Sequence, residues 1–166
     1  MTGHNREQSL QSRALRYLSR RAYSRAELRD RLRRWADDSQ TEETLQSLEQ
    51  LGLLNDAETA YNYALHRLRD YGWGLLRVRN QLVRRGFSQT VIARAVERVG
   101  AEEDEAHALE VYLERRILRG KAPADRRETF RLYQHLRRRG FRSELIGPAL
   151  RRRLEPSAWI DIETGE

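Results

Sequence analysis

One six-residue run occurs twice in this chain. Leu82-Val-Arg-Arg-Gly-Phe87 returns as Leu136-Arg-Arg-Arg-Gly-Phe141, 54 residues further on. The same offset pairs Val91 with Leu145, Ile92 with Ile146, Ala95 with Ala149 and Val96 with Leu150. A weaker copy stands in the first third. There Leu32-Arg-Arg-Trp35 takes the place of the Leu-x-Arg-Arg run, and Leu45, Leu48 and Leu51 supply the apolar face that follows. A repeat of this kind narrows the possible folds sharply. Each copy has a small core, and its neighbours cover its flanks.

Each copy reads as helical. No stretch of β-branched residues alternates over five or more positions, so strand signatures are missing. Ser24-Arg-Ala-Glu27, Ser39-Gln-Thr-Glu42, Asn55-Asp-Ala-Glu58 and Asp125-Arg-Arg-Glu128 have the capping-box pattern, and Ser88 and Ser143 read as simple caps. Gly52, Gly86, Gly100, Gly120 and Gly140 mark helix ends. The pattern predicts nine helices, over about residues 9–20, 24–36, 41–51, 56–71, 74–85, 89–99, 103–118, 126–139 and 144–154. The fold class is therefore all-α: three tandem three-helix-bundle repeats in an elongated, curved array. The expected divisions are a flexible N-terminus (1–9), repeats over 10–54, 55–101 and 102–155, and an acidic tail (156–166). An apolar share of 39% against 34% charged residues fits a fold with several small cores. Leu28, Leu32, Leu82, Ile92, Val96, Leu136, Ile146 and Leu150 are the expected core, with Trp35 and Trp73 partly buried between repeats. Pro148, preceded by Gly147, breaks the register of the last helix and predicts a kink or a late start.

Four stretches, in this order and spacing, resemble the RecX family, bacterial regulators of the RecA recombinase. They are Ser24 to Arg34, with its Ser-x-x-Glu-Leu-x-x-x-Leu pattern; Leu51-Gly-Leu-Leu-Asn-Asp56 with Ala60 downstream; Gly74 to Phe87; and Leu136 to Phe141. The resemblance spans about residues 10–155. It implies tandem three-helix repeats and no catalysis. It also implies binding within the groove of the RecA–DNA filament, lowered ATPase and strand exchange, and weak, non-specific binding of single- and double-stranded DNA. The chain departs from the family pattern in having few lysines, in Gly147-Pro148 and in its acidic tail.

Charge is distributed unevenly. Residues 1–55 carry +2, residues 56–105 balance, residues 106–155 carry +8, and residues 156–166 carry −3. All basic residues but Lys121 are arginine, whose guanidinium fork suits carboxylates and phosphates. Arg84, Arg85, Arg137, Arg138 and Arg139 fall in the last turn of a helix just before a glycine. Two readings stand: cations complementing the helix dipole, or a repeated ridge that contacts acidic side chains or phosphates. Together with Lys121, Arg142, Arg151, Arg152 and Arg153 they are the candidate RecA- or DNA-contacting residues. Phe87 and Phe141 are expected to close helix ends, with stacking on a nucleic-acid base as the alternative, and Asp56 to stabilise a helix start. Trp159 in the tail either pins the terminus to the body, docks into a partner, or lies in a tail that screens the arginine surface.

Enzyme readings find no support. His4, His66, His107 and His135 have no metal-ligand spacing, and Tyr71-Gly-Trp-Gly74 lacks the third glycine of a dinucleotide loop. Glu102, Glu103, Asp104 and Glu105 read as an acidic helix start. Without cysteine there is no disulfide or thiolate chemistry. No cofactor, metal or membrane partner is expected, and the chain is read as a cytoplasmic monomer. Two other functions remain open: a stand-alone DNA binder of helix-turn-helix type, or a helical scaffold for another protein.

Overall fold

The computed structural model describes residues 3–120 and 122–154, with residues 3–9 as backbone. These residues form nine helices and no strand. They are α1 (Gly3–Leu18), α2 (Arg25–Leu32), α3 (Asp38–Gln50), α4 (Asp56–Arg69), α5 (Leu75–Arg84), α6 (Gln89–Glu102), α7 (Glu105–Leu118), α8 (Arg126–Arg138) and α9 (Ser143–Arg153).

The helix boundaries follow local chemistry, with instructive exceptions. Ser24 and Glu27 form a complete capping box at α2. Asn55 and Ser88 accept from Glu58 and Val91 amides at 3.0 and 3.3 Å. Ser39 does not cap α3. Asp37 takes that role, accepting from the Gln40 amide at 2.9 Å, and so starts the helix earlier than expected. Asp125 caps α8, but Glu128 turns to the Ala124 amide instead of completing a box. Ser143 is the first residue of α9, behind Arg142, whose side chain makes no capping bond. Gly100 lies inside α6 and ends nothing. Pro148 sits within α9, which starts on register at Ser143 and not late. The proline costs the helix one amide donor toward the turn before it.

The duplicated run ends each helix in the same way. Gly86 donates to Val83 and Phe87 to Leu82. Gly140 donates to Arg137 and Phe141 to Leu136. These paired bonds form a Schellman motif, with glycine in the left-handed position and phenylalanine closing onto the core.

The chain divides into two compact units, Met1–Asn62 with Gln81–Ala95 and Tyr63–Asn80 with Val96–Glu166. The division passes through α4, α5 and α6, so each helix of the middle triplet contributes one end to each unit. The first unit buries Leu10, Ala14, Tyr23, Leu28, Leu32, Leu45, Leu48 and Leu54. Leu51, expected on this apolar face, is instead the C-cap of α3 and lies exposed, and Leu54 fills the core in its stead. Trp35 is also exposed, at 55%, with the Arg13 guanidinium 4.0 Å above its ring. The second unit buries Leu109, Leu113, Leu132, Leu136, Phe141, Ile146, Ala149 and Leu150.

Both units contain the same joint between successive triplets. In the first unit, Asp56 at the start of α4 accepts from the Arg25 amide at the start of α2 (2.8 Å). The Ser24 hydroxyl donates to the Arg85 carbonyl at the end of α5. In the second unit, Glu105 at the start of α7 accepts from the Leu75 amide at the start of α5 (3.0 Å). The Arg139 and Gly140 carbonyls at the end of α8 accept from the Gly74 and Leu76 amides (2.8 and 3.2 Å). In the second unit the unpaired carbonyls of one helix end thus meet amides of another helix start directly, whereas in the first the Ser24 hydroxyl takes the place of the amide. In both the two dipoles run head to tail.

Candidate functional site

The arginine pairs before Gly86 and Gly140 split the same way. The first of each pair, Arg84 and Arg138, is exposed, with no hydrogen-bond or ion-pair partner among the described residues. The second turns inward and holds the joint. Arg85 is only 14% exposed, donates to the Ala22 carbonyl (2.9 Å) and pairs with Glu27 at 2.8 Å. Arg139 donates to the Gly72 carbonyl (3.0 Å) and to the Tyr71 carbonyl, and lies 4.4 Å over the Tyr112 ring. The helix-end arginines therefore have a role beyond the dipole: they clamp the turn that precedes the middle helix of the neighbouring triplet.

The other candidates divide similarly. Arg142 pairs with buried Glu105 at 2.9 Å and with Glu144 at 3.2 Å. Arg152 and Arg153 converge on Glu110, at 3.1 and 2.6 Å. Burial would raise the Glu110 carboxyl, but these two guanidinium groups outweigh it and hold it below the usual range. Arg137 is exposed and unpartnered among the described residues, and Arg151 is exposed. Lys121 and the tail with Trp159 lie outside the described residues.

The acidic run 102–105 is more differentiated than a helix start. Glu102 ends α6 and pairs with Arg98, Glu103 pairs with Arg69, Asp104 caps α7, and Glu105 is buried in the joint. Among the described residues no group of three His, Asp or Glu side chains is placed to hold a metal ion. No helix among them is long and apolar enough to cross a membrane.

A further group of arginines collects on the second unit. Arg69, Arg115, Arg116, Arg119 and Arg139 line a cleft of about 320 Å³ beside Tyr71, Gly72 and Tyr112. Arg116 also reaches a neighbouring cleft of about 440 Å³, with Arg131, His135 and Arg138. Between them the Tyr112 hydroxyl and His135 Nε2 are 2.8 Å apart. Burial lowers the pKa of His135, and the positive charges of Arg116, Arg139, Arg138 and Arg77 lower it further. Burial likewise lowers that of Arg139, with Arg77 and Arg116 adding to the effect. The sequence signal that could have found this cluster is Arg115-Arg116 in the last turn of α7 with Arg119 at its C-cap.

The described residues are all-helical and carry unpartnered guanidinium groups on their surface. Comparison with known proteins specifies the family. A family model described as "RecX, first three-helix domain" matches residues 12–48. The regulatory protein RecX of Deinococcus radiodurans is 34% identical over 151 residues, 90% of this chain and 71% of that protein. Those of Halorhodospira halophila and Leptothrix cholodnii are 36% and 34% identical, covering 82% and 91% of this chain and 83% and 93% of theirs. The crystal structure of RecX from Lactobacillus salivarius superposes with a TM-score of 0.72 at 20% identity, over 90% of this chain and 97% of that one, a likeness of fold. The chain belongs to the RecX family. Its relatives are named as regulatory proteins.

Proposed function

We propose that this protein regulates a RecA recombinase in the cytoplasm. As a monomer it binds in the groove of the RecA–DNA filament and lowers its ATPase and strand-exchange activity. Family membership over most of the chain carries the reading. The unpartnered exposed cations Arg84, Arg137 and Arg138 support it, because they are free to meet filament carboxylates or DNA phosphates without breaking an internal ion pair. Weak, salt-sensitive and non-specific binding of single- and double-stranded DNA follows from the same unpartnered cations.

The test is the DNA-dependent ATPase rate of the cognate recombinase, titrated with this protein. Arg137→Glu with Arg138→Glu is expected to raise the half-inhibiting concentration at least about tenfold, since reversed charge repels where it attracted. Arg139 is left in place, because it holds the joint. A titration curve that the double variant does not move would remove these cations from the contact. No effect of the wild-type protein on the recombinase would favour a scaffold for another partner.

A further inference from the structure

The cleft lined by α7 and the α4–α5 turn concentrates positive charge that the fold does not neutralise. Of its five arginines only Arg69 has a carboxylate partner, Glu103. Arg115, Arg116 and Arg119 have none among the described residues. Arg139 is held by two carbonyl oxygens and an aromatic face, and none of these carries a full negative charge. The one acid in the lining, Asp70, is already bonded to His66. The Arg116 Nε is fully buried and has no hydrogen-bond acceptor. A desolvated guanidinium donor without an acceptor is costly unless an anion completes it.

The walls are fixed before any ligand arrives. The Arg67 guanidinium lies 4.4 to 4.9 Å from the rings of Tyr63, Tyr71 and Trp73, which pins the turn that carries Tyr71 and Gly72. Tyr112 is held by His135 on one side and covered by Arg139 on the other. Several guanidinium forks aimed at one rigid space suit an oxyanion with more than one acceptor oxygen. The cleft volume of about 320 Å³ leaves room for a sugar-sized group beside it.

We propose that this cleft binds a phosphate group presented by a polynucleotide strand. The inference deepens the reading of the basic second unit as a nucleic-acid contact. It adds a contact on α7 to the exposed cations at the end of α8. The strand supplies successive phosphates to the exposed Arg115 and Arg119, while Arg116 and Arg139 form the floor.

The experiment measures binding of a short fluorescent oligothymidylate to the full chain across a salt series. The charge-matched variants are Arg115→Ser with Arg119→Ser, and Arg126→Ser with Arg127→Ser, the latter pair exposed on α8 outside both clefts. The first variant is expected to weaken binding about tenfold and to lower the salt slope by about one to two. The second is expected to change affinity less than about twofold. Equal losses in the two variants would mean a diffuse field and overturn the cleft. Displacement of the strand by thymidine monophosphate at equal phosphate concentration would assign the cleft to free nucleotides and overturn the strand. Failure of the wild type to bind the oligonucleotide would also overturn it. ATPase titrations on the same samples keep the two readings apart. Intact inhibition without strand binding removes the cleft and leaves the regulator, while lost inhibition with strand binding does the reverse.

Discussion

Alanine at Gly140 is expected to destabilise the second unit by about 2–5 kcal/mol, the sum of a backbone and a packing cost. Gly140 has φ +87°, where a Cβ costs about 1–2 kcal/mol. That Cβ would also stand 2.3 Å from the Arg77 amide nitrogen, which is backbone and cannot swing aside. The α8 end would have to back away from the α5 start, and the Gly74–Arg139 and Leu76–Gly140 bonds would lengthen with it. Gly120→Ala is the control. It has φ +69° and nothing within 4 Å of the place its methyl group would occupy, so only the backbone cost applies. Urea unfolding followed by circular dichroism, with amide exchange reporting on α5 and α8, separates the two. Equal losses for both variants would show that the end-to-end contact contributes nothing.

This joint also marks where sequence reasoning reaches its limit. The glycine and phenylalanine after each Leu-x-Arg-Arg run were legible, because a Schellman ending is written in adjacent residues. The burial of Ile92 and Ile146 was legible from the repeat, while Val96, expected in the core with them, is only half-buried. The inward turn of Arg85 and Arg139 was not, since their acceptors lie some sixty residues earlier in the chain. Glu105 looked like one of four interchangeable acids. Only the docking of α7 against the α5 start selects it for burial. At α3, two caps competed locally, and Asp37 prevailed while Glu42 was drawn to Arg25 and Arg29. The abundance of arginine in the candidate surface is plain from the sequence. Which arginines are free depends on partners that no local pattern names.

The matching joint in the first unit makes stability depend on pH. Glu27 receives hydrogen bonds from Arg85, from the Ser24 amide at 2.9 Å and from Arg21. Burial alone would raise its carboxyl, yet these donors hold it below its ordinary value of 4.5. A carboxylate whose folded pKa is depressed binds fewer protons folded than unfolded. Its contribution is complete above the ordinary value and is lost as pH falls through the lower folded one. Glu27→Ala at neutral pH leaves Arg85 buried without its counter-charge and is expected to cost about 3 kcal/mol. Glu27→Gln should lose less, and it should flatten the acid limb of the stability curve below about pH 5. Asp56 behaves oppositely. Burial, with the nearby Glu49 charge, raises its pKa, so its ionised form is disfavoured in the fold. Asp56→Asn keeps an acceptor for the Arg25 amide and removes that charge, so it should not destabilise the chain at neutral pH. Urea midpoints measured from acid to neutral pH test both. Parallel curves for wild type and Glu27→Gln would mean that the Glu27–Arg85 pair is not what holds the α2 end of the joint.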